Sequence, residues 1–330
     1  MQQYIVITSI NQATESVREF SKLMDYKVIV VGDKKTPSDW YCENVDYLSI
    51  SRQREIGTSL YKVLPYNHYC RKMMGYLYCI ENQAQVIIDT DDDNIPKPGW
   101  KFPAFDGEFL QTSEGNGFIN IYEYYTDMKI WPRGLPLDKI NSKYDFSENQ
   151  LKKGLKVGIW QGLADEDPDV DAIYRLTNNQ SCYFKEQGPI VLGKGTVSPS
   201  NSQNTAYIKE LFPLLYLPTF VTFRFTDILR GIIAQPIMWL YNYHLGYTDA
   251  TVVQKRNPHD YFQDFISEIP MYKFGESVFE ITCNTISKNF TLVENLYRVY
   301  DELSRQEIVK SEEMNVLTAW LCDIEKAGNS

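Results

Sequence analysis

Four carboxylates, Asp89, Asp91, Asp92 and Asp93, follow directly on the apolar run Val86-Ile87-Ile88. Like charges this close repel, so some must hold a proton unless a cation neutralises them. A divalent metal that also grips a phosphate resolves the repulsion with the fewest parts. The segment 85–96 is therefore a candidate for holding the diphosphate of a nucleotide-linked substrate. In extended backbone, side chains two apart face the same way. Asp91 and Asp93 can then share one ion, while Asp89 or Asp92 accepts a hydrogen bond from a ribose or sugar hydroxyl.

The surrounding elements predict where this cluster sits. Residues 4–8 are apolar and β-branched and predict a buried strand; residues 14–24 place Val17, Phe20, Leu23 and Met24 at helical spacing; residues 27–31 predict a second buried strand closed by Gly32-Asp33. This β-α-β opening is the signature of a doubly wound α/β sheet. A third strand is expected over 45–50, a helix over 65–80 and a further buried strand over 86–88. The acidic run then lies at the C-terminal end of a strand, the edge at which open α/β sheets bind ligands. Residues 96–207 read as loop-rich, with a turn-heavy segment at 131–136 and a polar stretch at 198–204 that suits an active-site loop or a surface loop. Helical periodicity returns at 226–243, with an interruption expected near Pro236, and again at 291–325.

Bulk composition excludes some classes. The 330 residues allow one large domain or two small ones, and a hydrophobic content of 43% supports a sizeable core. A net charge of −10 argues against nucleic acid and against an anionic membrane surface as partners. The apolar stretch 211–223 contains Pro213 and Pro218 and is too short to span a bilayer. The N-terminus lacks a basic region followed by an apolar core, so no secretory signal is expected. The six cysteines have neither metal-like nor disulfide-like spacing and read as reduced thiols. A cytoplasmic location is the expectation that follows.

Several segments together resemble the STELLO-type glycosyltransferase-like family, itself distantly similar to the reversibly glycosylated polypeptides, the UDP-arabinopyranose mutases. They are Gly32-Asp33-Lys34-Lys35-Thr36-Pro37 with Trp40, Leu64-Pro65-Tyr66 leading to Arg71-Lys72, and Asp89-Thr90-Asp91-Asp92. Trp131-Pro132-Arg133-Gly134-Leu135-Pro136-Leu137, Gln161-Gly162, Pro168-Asp169-Val170-Asp171, the stretch 199–205, and Asp227-Ile228-Leu229-Arg230 with Gln235 continue the series. They stand in the family's order over roughly residues 1–255, and the chain after about residue 265 shows no match to it. The resemblance implies a GT-A fold, a Rossmann-like mixed α/β sheet flanked by helices, in which carboxylates of an Asp-x-Asp motif hold Mn²⁺ or Mg²⁺ on a nucleotide diphosphate. Here the run continues with Asp93-Asn94, so two registers are open, Asp89/Asp91 and Asp91/Asp93, with Asp91 common to both. The plant members are Golgi membrane proteins; with no membrane segment read in this chain, their location and partners are not transferred to it.

The resemblance and the residues together assign roles. A GT-A domain is expected over 1–265, its nucleotide-binding half 1–125 and its acceptor-side half 126–265, followed by a helical C-terminal extension over 266–330. Asp33 can accept from a base N–H, with Lys34 and Thr36 beside it. Arg71 and Lys72 are candidates for phosphate, Arg71 being the better bidentate partner. Trp131 offers an aromatic face to a sugar and Arg133 a fixed cation. Glycosyl transfer needs a base for the acceptor hydroxyl, or a carboxylate beside an oxocarbenium-like centre. Asp169, Asp171 and Asp227 are the candidates, although carboxylates in a helix's first turn are also ordinary caps. Arg230 can pair locally with Asp227 or touch substrate. His259 is a candidate late-chain metal ligand beside Asp91 and Asp93. The expected activity is a metal-dependent glycosyltransferase taking a nucleotide-diphosphate sugar, UDP-linked first, to a hydroxyl acceptor. A nucleotide-sugar mutase, or a non-catalytic scaffold of the same fold, is the alternative.

Overall fold

The computed structural model describes residues 2–56, 58–256 and 259–328. The strands are β1 (Gln3–Thr8), β2 (Tyr26–Val31), β3 (Val45–Leu48), β4 (Val86–Thr90), β5 (Asn94–Pro96), β6 (Asp106–Gln111), β7 (Gly117–Phe118), β8 (Gln150–Glu166), β9 (Ile190–Val191), β10 (Thr196–Val197), β11 (Asn204–Ile208) and β12 (His244–Gln254). The helices are α1 (Glu15–Phe20), α2 (Ile50–Glu55), α3 (Ser59–Val63), α4 (Lys72–Glu81), α5 (Tyr122–Tyr125), α6 (Ala172–Thr177), α7 (Thr226–Leu240), α8 (Tyr261–Thr285), α9 (Leu292–Arg305) and α10 (Glu313–Gly328). Ten strands form one mixed sheet in the order β3-β2-β1-β4-β11-β8-β6-β9-β12-β5, and β8 also pairs with β12. This is an α/β, GT-A-like architecture, with helices flanking the sheet and further helices closing the chain.

β1, β2, β3 and β4 run parallel, as the β-α-β opening predicts. Their side chains alternate between two cores. Tyr4, Val6 and Ile87 join the larger core with residues of α4, α7, α9 and α10, whereas Ile5, Ile7, Val86 and Ile88 join a smaller one with Val17 and Phe20 of α1. α4 lies directly on the sheet because Gly75 leaves room: a Cβ there would stand 2.6 Å from Val6 and Val31 side chains. The helix expected over 65–80 begins later, as a 3-10 turn at Tyr69–Arg71 leading into α4.

The expectation for 226–243 is corrected and that for 96–207 is refined. Residues 96–207 are rich in loop, but they also hold β8, which runs for 17 residues through the sheet. Its glycines mimic loop composition, but Gly162 is a close-approach site, where a Cβ would stand 2.4 Å from the Asn204 side chain. α7 passes through Pro236 without a break. Nearly the whole helix is buried, and that packing outweighs one lost backbone hydrogen bond.

The last helix, α10, is tied to α3 and to the segment 213–220 by polar contacts. Glu313, at the start of α10, accepts from Thr219 N at 2.8 Å and Phe220 N at 2.8 Å, and from the Tyr216 hydroxyl. Asp323 accepts from Leu60 N at 2.7 Å, and Trp320 donates to the Pro213 carbonyl at 3.0 Å. Glu313→Ala strands buried donors and is expected to lower unfolding stability by about 2–4 kcal/mol, read by denaturant titration. Glu313→Gln, which keeps one acceptor oxygen, should lose less.

Candidate active site

Side-chain parity decides the fate of the first carboxylate. Asp89 lies two residues after Ile87 in β4 and so faces the helix-covered core. It is fully buried, and a lone ionised carboxylate there would be very costly. Lys72 Nζ, from the first turn of α4, reaches one oxygen at 2.6 Å, and Arg230 Nη1 of α7 reaches the other at 2.9 Å. Asp89, Lys72 and Arg230, expected to touch substrate, are thus committed to one another inside the protein. Lys72 extends the network to Asp91 at 3.0 Å.

After Thr90 the chain turns, and Asp91, Asp92 and Asp93 all line one cavity of about 230 Å³. Asp92 accepts from Ser9 Oγ at 2.5 Å and Asn11 Nδ2 at 3.2 Å. β5 then pairs with β12, Asn94 opposite Gln254, which brings Gln254 Nε2 to 3.2 Å from Asp93 Oδ2. The other Asp93 oxygen is buried with no partner among the described residues. Burial raises the pKa of Asp91 to about 7; Lys72 opposes this rise, while Asp93 and Asp89 add to it. Burial and the charge of Asp92 raise Asp93 as well. Paired carboxylates held above their ordinary range, with one orphaned oxygen, fit a hard cation that completes its shell with phosphate oxygens and water. They do not form a preassembled cage: among the described residues no three His, Cys, Asp or Glu converge as a metal site. His259 lines the cavity too, but its Nδ1 lies 3.1 Å from Asp264.

The opposite wall carries the second acidic group. Arg133 is buried between Asp169, at 2.8 and 2.7 Å, and Asp227, at 3.0 and 2.9 Å. Ser202 gives Asp227 two further hydrogen bonds at 3.2 Å, from its backbone N–H and its hydroxyl. Burial would raise the Asp227 carboxyl, but Arg133, with Arg230 and Arg224 behind it, overrides burial and holds it at about 2. Asp171 is elsewhere: fully buried, it caps α6 through Tyr174 N at 2.9 Å and accepts from the Trp131 indole at 2.7 Å. The expectations that Asp171 is catalytic and that Trp131 is a sugar platform are corrected on this ground, since neither faces the cavity. The exposed aromatic at the mouth is Phe223, edge-on to Tyr69 at 5.5 Å.

A second cavity, of about 290 Å³, adjoins the first along Thr8, Tyr69, Asp92 and Phe223. Asp33 lines it and already accepts from Lys34 N at 2.7 Å and His68 N at 3.2 Å. Thr36 staples this turn, accepting from Asp33 N and donating to the Ser9 carbonyl, each at 2.8 Å. Lys34 points away over the Tyr66 ring, and Lys35 lines the cavity in its place. Arg71 borders the cavity, but its guanidinium is turned to Gln53 Oε1, at 3.1 and 2.5 Å, which corrects its expected phosphate role. Sequence reasoning missed Gln203, Arg224, Gln254 and Arg256 as cavity residues. The polar stretch 198–204, which offered the one available signal, is entirely buried and supplies Ser202 and Gln203.

The model of the family described as STELLO glycosyltransferases matches residues 224–330. The probable glycosyltransferase STELLO1 of Arabidopsis thaliana is 27% identical over 99% of this chain, and the probable glycosyltransferase STELLO2 of the same plant is 31% identical over 72% of it. The chain belongs to the STELLO-type glycosyltransferase-like family. It spans less than half the length of these relatives, 45% and 34% respectively. The family match covers the region after residue 265, which showed no resemblance by motif, and includes α7 with Asp227 and Arg230. No helix among the described residues is long and apolar enough to cross a membrane.

Lys72→Met leaves Asp89 and Asp91 short of a buried cation and is expected to cost about 3–5 kcal/mol of stability, measured by denaturant unfolding. Asp227 gives a pH signature. Because its folded pKa lies below the ordinary 3.8, its stabilisation is complete above that value and is lost as pH falls through about 2. Asp227→Asn should flatten the part of the stability curve between those limits.

Proposed function

We propose that the chain is a metal-dependent glycosyltransferase whose donor is a nucleotide-diphosphate sugar, a UDP-sugar being the first to test, and whose acceptor is a hydroxyl. The observation that carries this reading is the convergence of two acidic groups, Asp91–Asp93 and Asp169/Asp227, on one cavity that opens into a second beside Asp33. In this reading the nucleoside lies beside Asp33, His68 and Asn11. The diphosphate lies at the junction, and the sugar and acceptor lie toward Arg133. Asp91 and Asp93 would hold Mn²⁺ or Mg²⁺, which when bound offsets the charge of the leaving diphosphate.

The protein's own groups divide the remaining work. The bond between the anomeric carbon and the diphosphate breaks as the acceptor oxygen bonds to that carbon. Asp227, kept ionised by Arg133, is a weak base but a fixed negative charge suited to a positive anomeric centre. Asp169 takes the acceptor proton. Arg133 holds both carboxylates in place and limits their rotation. Burial of the polar stretch 198–204 excludes water from this wall.

Thermal unfolding of the full chain with UDP, GDP and ADP, each with and without Mn²⁺, tests the reading. One nucleotide should stabilise the protein far more with the metal than without it; at 100 times Kd the gain is about 2.7 kcal/mol. Asp91→Asn should keep the unliganded melting temperature and lose the metal-dependent part. Failure of all three nucleotides to show metal-linked stabilisation would sink the proposal. A ring-contracted product from UDP-sugar alone would replace transfer with mutase chemistry.

A further inference from the structure

Arg256 lies two residues beyond the end of β12 and lines the first cavity but not the second. Its Nε and Nη1 are sealed from solvent, yet they have no hydrogen-bond partner, and its guanidinium forms no ion pair among the described residues. Burial lowers its pKa, and the neighbouring guanidiniums of Arg224 and Arg175 lower it further. Of the acids that act on it from a distance, Asp169 is held by Arg133 at 2.7 Å and Asp167 by Arg175 at 2.7 Å, whereas Asp93 gives one oxygen to Gln254 at 3.2 Å and keeps its other oxygen unpartnered. Arg224, beside it, is satisfied by Glu268 at 2.8 Å. A half-buried guanidinium whose Nε and Nη1 donors are sealed without an acceptor is costly, and a bidentate oxyanion is the partner that offsets that cost.

We propose that Arg256 recognises an anionic substituent, a carboxylate or a phosphate monoester, carried by the acceptor or by the transferred sugar. The inference rests on the donor placement above for its choice of substrate. The nucleoside cavity joins the first one along Thr8, Tyr69, Asp92 and Phe223, whereas Arg256 lines only the first, where its charge acts on Asp169 and Asp93. The substrate class is thus narrowed from any hydroxyl acceptor to a pair in which one sugar is acidic.

Isothermal titration of the full chain with D-glucuronate, inorganic phosphate and neutral D-glucose, and separately with Mn²⁺–UDP, provides the test. The wild-type protein should bind the two anions and not glucose. Arg256→Gln should weaken anion binding roughly tenfold or more, and Arg256→Lys should retain a measurable part of it. Mn²⁺–UDP affinity should stay within about twofold in both variants, and the Arg256→Gln melting temperature should not fall, because an uncompensated buried cation has been removed. Unchanged anion affinity in Arg256→Gln, or glucose binding equal to glucuronate, overturns the proposal. So does an equal loss of Mn²⁺–UDP, which would place Arg256 on the donor diphosphate. If Mn²⁺–UDP fails to bind the wild-type protein while the anion effect holds, the donor reading fails and the anion site stands.

Discussion

A carboxylate with no access to water sets the terms for the whole cavity. Asp89 is turned inward by strand parity, and Lys72 and Arg230 approach its two oxygens from two different helices. The three side chains join β4, α4 and α7 at one point. Removing any one leaves charge uncompensated in the core, so their mutual positions are tightly constrained. Lys72 also contacts Asp91, and the buried network thereby extends to the cavity wall. Burial raises the Asp91 pKa to about 7, with Lys72 opposing the rise and Asp93 and Asp89 adding to it, so this carboxyl titrates near neutrality at the cavity wall.

α7 links this network to the opposite wall. Asp227 and Arg230 stand three residues apart, on one side of the helix. Arg230 reaches Asp89, and Asp227 grips Arg133. Arg133 in turn binds Asp169, and its backbone N–H donates to the Asp169 carbonyl at 3.1 Å. The two clamps, one sealed and one facing the cavity, thus share α7 and are coupled through it. The Asp227 to Arg230 spacing, which a sequence reading would assign to a local cap and pair, instead serves two distinct partners.

The strand-helix-strand opening and the position of the acidic run were legible because buried strands and an amphipathic helix leave period-specific traces. β8 was not, because its glycines and its charged first half look like loop; Gly158 and Gly162 are there for the close approach of Leu211 and Asn204, and Gly154 for a positive φ of 70°. α8 lies largely inside the helical extension expected over 266–330, but it was not resolved as an element of its own, with Pro270 and Gly275 interrupting its pattern. At the site, residue type alone could not separate cavity from core. Trp131 and Asp171 satisfy each other in the interior, whereas Asp169 and Arg133, only a few positions away in sequence, reach the cavity. Arg256 carried no signal at all, since a missing partner is a property of the folded neighbourhood.

The register of the acidic run shows how a local rule reaches its limit. The alternation of side chains holds while the backbone is extended, and β4 ends at Thr90. Up to that point parity sends Asp89 inward. Beyond it the chain turns, with Asn94 N 3.4 Å from the Asp91 carbonyl, and parity no longer governs. Asp91, Asp92 and Asp93 therefore all line the cavity, but with different partners: Lys72 for Asp91, Ser9 and Asn11 for Asp92, Gln254 for Asp93. Of the two Asp-x-Asp pairs, Asp91 with Asp93 faces the cavity at both ends, while Asp89 with Asp91 joins a core charge to a surface one. Asp93 thus places a second carboxylate beside Asp91 on the cavity side, while Asp89 is held in the core by Lys72 and Arg230.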